Sequence, residues 1–107
     1  MSEFDKVCKR IRKFNKERDW DQFHSPENLA KSISIEAGEL LECYQWNSDA
    51  DDQAVREELS DVMNYCIQFA QARDYDICKI LNEKIDQNEK KYPVTKSKGV
   101  STKYDRL

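Results

Sequence analysis

The sequence predicts an all-α fold: a bundle of about four helices with a central antiparallel pair, completed by homo-oligomerisation. Three observations predict it. Apolar residues recur at helical spacing in four separate segments. Helix-start signals precede several of them, as in Ser25-Pro26-Glu27. Two glycines and two prolines are too few for the tight turns of a β-sandwich. The 107 residues make one domain, with helices over 1–93 and a polar, Lys-rich tail over 94–107. A chain this short buries little of its own surface, which is why assembly into a homodimer or homotetramer is expected.

The first helix is read over about Ser2 to Arg18, where Phe4, Val7, Cys8, Ile11 and Phe14 share one stripe and Lys and Arg cover the rest. Trp20, Phe23 and the only histidine, His24, follow in a short aromatic segment. This segment is either a plug for the core or a wall for a flat ligand, since aromatic faces stack on nucleobases. The second helix opens at Ser25-Pro26 and runs to about Gln45, with Trp46 at its exit. Asn47 to Gln53 is an acidic connector that lacks calcium-loop spacing and serves to cap the third helix, about Ala54 to Arg73. Asp74 or Asp76 caps a fourth helix over Ile77 to Lys91, whose stripe is Ile77, Cys78, Leu81 and Ile85. Pro93 ends it, and the tail, as a free terminus, is expected to be disordered.

Two motifs concentrate chemistry. Glu36-Ala-Gly-Glu39 and Glu58-Leu-Ser-Asp61 each set two carboxylates three residues apart, as surface neighbours on a helix. With Ile33 at zero and about 100° per residue, the apolar stripe of the second helix spans roughly −40° to +80°, with Glu36 and Glu39 on its negative flank. With Val62 at zero, the stripe of the third helix spans roughly −20° to +100°, and Glu58, Asp61 and Tyr65 again lie on the negative flank. Antiparallel helices packed stripe to stripe are related by a two-fold axis that brings equal-signed flanks together. The short connector favours that arrangement, so all four carboxylates gather at one edge.

Like charges held together call for a cation. Oxygen-only donors select a hard one, Mg²⁺ with Mn²⁺ as a substitute. Such an ion keeps positions open for phosphate oxygens, so a phosphate ester or anhydride is the expected substrate. The alternative is a non-enzymatic helical interaction module that docks a basic partner on its acidic flank. A di-iron site would need Glu-x-x-His on two helices, which a chain with one histidine outside both motifs cannot supply. Cys8, Cys43, Cys66 and Cys78 form no C-x-x-C pair and read as reduced thiols. A net charge of −3 gives no nucleic-acid footprint, no stretch is long and apolar enough for a membrane span, and the charged N-terminal stretch has no signal-peptide core. A cytoplasmic location is the expectation.

The paired motifs, with Arg18-Asp19-Trp20-Asp21-Gln22-Phe23-His24, Tyr44-Gln45-Trp46 and Lys91-Tyr92-Pro93, resemble the MazG-like nucleoside triphosphate pyrophosphohydrolases of the all-α NTP pyrophosphatase superfamily, close to the dCTP pyrophosphatase branch. The resemblance runs from about Phe14 to Tyr104. It implies a catalytic domain over 1–93 that hydrolyses a (d)NTP to the monophosphate and pyrophosphate, clearing non-canonical or surplus nucleotides such as dCTP. It implies Glu36, Glu39, Glu58 and Asp61 as metal ligands, with one of them or the activated water as the base. Trp20, His24 and Trp46 would line the nucleoside pocket, and Tyr65 would meet the sugar. Lys84, Asn88 and, from the tail, Lys103 would meet phosphate oxygens.

Overall fold

The computed structural model describes residues 1–107, all of them outside β-structure. Five α-helices follow in order: α1 (Glu3–Glu17), α2 (Pro26–Glu42), α3 (Asp52–Ala72), α4 (Ile77–Lys91) and α5 (Val94–Ser97). Two short 3-10 turns, Asp21–Phe23 and Tyr104–Arg106, complete the inventory. The caps explain the starts. Ser2 and Asp5 close a reciprocal capping box on α1, Ser25 accepts from the Asn28 N–H, Asp51 from Ala54 and Asp76 from Lys79. Of the two aspartates that the sequence offers for α4, Asp76 is the cap.

Helix ends depart from the sequence reading in one instructive way. α1 and α3 both stop at an arginine followed by an aspartate in the left-handed region, Asp19 (φ 53°) and Asp74 (φ 55°). The next residue in each case is aromatic, and its N–H returns to the helix: Trp20 to the Asn15 carbonyl at 3.0 Å and Tyr75 to the Ala70 carbonyl at 2.8 Å. These are Schellman closures with aspartate in the place glycine usually takes. The first of them sets the position of Trp20. α2 stops at Glu42, short of Gln45, and the chain turns through 43–51 before α3.

The chain divides into two compact units, Met1–Tyr75 and Asp76–Leu107. In the first, α2 packs along α3 and α1 lies against α3. Burial is concentrated at one end: Leu29 near the start of α2 is 1% exposed, and Ile67 and Ala70 near the end of α3 are also buried. Asn15 and Gln68 are buried there too, joined across α1 and α3 by a 3.0 Å hydrogen bond, and Gln71 donates to the Cys8 carbonyl. Towards the connector, Leu41, Leu59 and Met63 are left exposed, so the apolar stripes read from the sequence are covered along only part of their length.

In the second unit, the apolar residues Ile80, Leu81 and Ile85 of α4 are exposed. The tail is ordered, contrary to the expectation for a free terminus. Pro93 starts α5, and Tyr104 meets Tyr92 edge to face with the Lys91 ammonium 4.8 Å from its ring centroid.

Leu29→Ala should destabilise the protein by about 2–5 kcal/mol, because the cavity forms where three helices meet. Gly38→Ala should stabilise it by about 0.5–1 kcal/mol, since an added Cβ there meets nothing within 4 Å. Urea unfolding of both variants checks the pair of opposite signs.

Candidate metal and nucleotide site

Glu36 lies seven residues after Leu29 and Glu58 nine before Ile67, so the helices that carry the acids are fixed by the buried end of the core. One carboxylate oxygen from each of Glu36, Glu58 and Asp61 lies within 4.8 Å of the others. Glu36 Oε2 and Glu58 Oε2 are buried with no hydrogen-bond partner. A buried, unpaired carboxylate oxygen is costly unless a proton or a cation satisfies it.

The electrostatics agree with the geometry. Glu36 is pushed up to about 7, first by a hydrogen bond shared with Glu39, then by burial and by the negative charges of Glu39, Asp61 and Glu58. Glu58 is raised as well, first by burial, then by its hydrogen bond with Glu39 and by Glu39, Asp61 and Glu57. Glu39 therefore stands beside both, although its own carboxylate lies outside the tightest group of three. The donors are all oxygen, which suits a hard divalent cation.

A cleft of about 480 Å³ opens between α1 and α3, with Ser60 of the second acidic motif on its wall. Trp20, His24 and Tyr65 line it, as do Ile11 and Phe14 of α1. The Trp20 ring meets Phe14 edge to face at 5.6 Å and His24 at 6.5 Å, and Arg18 lies over the Phe14 ring at 3.7 Å. The cluster is thus held on both sides while Trp20 stays 43% exposed. His24 Nδ1 is buried without a partner. The cleft is mostly apolar with a few polar groups, the usual make-up of a site for a flat organic ligand.

Trp46 is 90% exposed beyond the end of α2 and does not line this cleft. Lys84, Asn88 and Lys103 belong to the second unit and are exposed, and the Lys84 ammonium donates to Gln87 at 3.4 Å. The three amide side chains of the cleft, Asn15, Asn64 and Gln68, escaped the sequence reading. The available signal was Asn15, a polar residue four after Ile11, in phase with the apolar stripe of α1.

Comparisons with known proteins point to one group. The MazG-like family model matches residues 31–107. The dCTP pyrophosphatase 1 of Rattus norvegicus is 40% identical, over 88% of this chain and 61% of its own length, and that of Homo sapiens is 36% identical over the same shares. The chain thus spans about three fifths of the length of these relatives. A crystal structure of a pyrophosphatase from Archaeoglobus fulgidus superposes with a TM-score of 0.79 at 32% identity, covering 87% of this chain and 94% of that one. With an all-helical fold, paired acidic motifs on packed helices and a family model matching most of its length, this chain belongs to the MazG-like family.

Proposed function

We propose that this protein is a Mg²⁺-dependent nucleoside triphosphate pyrophosphohydrolase that converts a (d)NTP and water to the (d)NMP and pyrophosphate. The observation that carries the reading is the trio of carboxylate oxygens within 4.8 Å, two of them from residues with a buried, unpartnered oxygen, with Glu58 and Asp61 on the helix whose Ser60 and Tyr65 line an aromatic cleft. The identity to dCTP pyrophosphatases supports a deoxynucleotide such as dCTP as substrate, in a house-cleaning role.

Glu36, Glu39, Glu58 and Asp61 would hold the ion. When bound, Mg²⁺ neutralises phosphate charge and activates water for attack. The chain supplies the rest. Helices α2 and α3 fix the carboxylates, so the triphosphate is drawn to one edge of the pair. Trp20 and His24 receive the base, and Tyr65 stands one helical turn beyond Asp61, at the level of the sugar. Water attacks the α-phosphorus in line, the bond from that phosphorus to the bridging oxygen breaks, and pyrophosphate leaves. The proton of the attacking water passes to a carboxylate oxygen of this set. Lys84, Asn88 and Lys103 are assigned to phosphate oxygens, and Trp46 to the nucleoside pocket. Residues 1–93 form the catalytic domain and 94–107 the Lys-rich tail. The exposed Leu41, Leu59, Met63, Leu81 and Ile85 support a homo-oligomer, a dimer or tetramer, in which these apolar faces are covered. No helix is long and apolar enough to cross a membrane; we place the enzyme in the cytoplasm.

Pyrophosphate release with Mg²⁺, measured across the common NTPs, the dNTPs and modified pyrimidine triphosphates, tests the reaction. Equal amounts of monophosphate and pyrophosphate are expected from one or a few of them; orthophosphate, or no turnover, refutes it. Glu39→Gln should lower activity at least about tenfold at low Mg²⁺, through loss of charge at the ion.

The raised carboxylates predict a pH effect on the metal-free protein. A Glu36 raised from 4.5 to about 7 binds its proton more tightly folded than unfolded. Its contribution to stability is full below about pH 4.5 and is lost as pH rises to about 7. The melting temperature in EDTA should therefore fall across that window, and Mg²⁺ should restore it at pH 7.5. A Glu36→Gln variant should lose part of the fall in EDTA.

A further inference from the structure

We propose that Asn64, oriented by the buried amides of Asn15 and Gln68, reads the base in the cleft by donating a hydrogen bond to an acceptor on its edge, the O2 carbonyl shared by pyrimidines. This rests on the reading that the cleft takes the nucleoside.

The three amides form a directional chain. Asn15 Nδ2 donates to Gln68 Oε1 at 3.0 Å, and Gln68 Nε2 donates to Asn64 Oδ1 at 2.9 Å. Asn15 is 5% exposed and Gln68 6% exposed, so the first link is buried at the base of the cleft. The second link runs outward to Asn64, which is half-buried on the cleft wall. Each amide in such a chain spends its oxygen on one neighbour and offers its nitrogen to the next. Asn64 spends its oxygen on Gln68, and its Nδ2 hydrogens have no partner within the protein. In this arrangement the chain presents the Asn64 amide nitrogen to the cleft as a donor. The Asn15–Gln68 bond ties α1 to α3, as does Gln71 at the Cys8 carbonyl, and the i,i+4 bond from Gln68 gives its buried amide an acceptor in Asn64 and carries the link to the cleft wall.

Position agrees with this role. On α3, Asn64 lies three residues after Asp61, a rise of about 4.5 Å, and next to Tyr65. A ligand with its phosphates at the carboxylates and its sugar by Tyr65 brings its base to this level, against Trp20 and His24. O2 is adjacent to the glycosidic nitrogen in every pyrimidine, which makes it the acceptor nearest the sugar. A neutral amide also adds no charge beside the carboxylates.

The test is calorimetric titration of the full chain, with Mg²⁺, using dCMP, dTMP and deoxyribose 5-phosphate, which has no base. Two variants separate charge from hydrogen bonding. Asn64→Asp keeps an acceptor for Gln68 but cannot donate; Asn64→Leu is neutral and does neither. Wild type should bind both pyrimidine nucleotides more tightly than the base-free phosphate. In both variants that preference should shrink about tenfold, the scale of one hydrogen bond to a buried group. A charge effect of Asn64→Asp moves all three ligands together and leaves the preference unchanged. A preference unaltered in both variants, or absent in wild type, overturns the proposal. Failure of the proposed reaction would show separately, as no pyrophosphate release from an enzyme that still discriminates these ligands.

Discussion

The mutual repulsion of four carboxylates on adjacent helices is the constraint around which the first unit is built. Two acidic motifs on separate helices have no reason to stay close unless apolar packing holds their backbones there. Leu29, Ile67 and Ala70 supply that packing, at the end of the helix pair where α1 also covers α3. The acids stand about two turns from this anchored end, which limits how far the helices can splay to relieve the repulsion. The result appears in the proton affinities: Glu36 and Glu58 are both raised, and each has one buried oxygen without a donor. A cation would relieve the repulsion and satisfy those oxygens together, so binding and stability are linked through the same groups.

The same asymmetry of burial shapes the cleft. Three helices meet at the anchored end, and α1 leaves a gap against α3 in which the aromatic cluster sits. Trp20 enters that gap because α1 ends in a left-handed aspartate that turns the chain back by its second residue. Phe14, with Arg18 stacked on its outer face, backs the indole. A rigid aromatic wall has few rotamers to lose when a flat ligand stacks on it, so little of the contact energy is spent on ordering the protein.

Much of this was legible in the sequence, for local reasons. Helix starts followed from Ser25-Pro26 and from the aspartates before α3 and α4, because caps act within three residues. The gathering of Glu36, Glu58 and Asp61 followed from helical phase and a short connector. What escaped depended on contacts between distant segments or on unusual residues in common roles. Asn15 and Gln68 find each other across 53 positions, and neither betrays its burial by residue type. Asp19 and Asp74 close helices where glycine is the usual sign. The tail has no apolar periodicity, yet Tyr92 and Tyr104, with Lys91, give it a partner.

Helix α3 carries two kinds of polarity in succession. Glu58 and Asp61 present charge, suited to an ion and to phosphates, which are alike in every nucleotide. Asn64 and Gln68, a turn or two further on, present neutral amides, suited to the part of a nucleotide that differs between members of the class. Charge is strong and long-ranged but discriminates poorly by shape; a fixed amide is weak and short-ranged but discriminates by donor and acceptor. Along the helix Asn64 follows Asp61 by about 4.5 Å and Gln68 follows it by about 10 Å, so neutral donors succeed the charges in order. The separation also protects each from the other. The amides add no charge to the proton and metal equilibria of the acids, and the acids lie too far from the buried Asn15–Gln68 bond to compete for its donors.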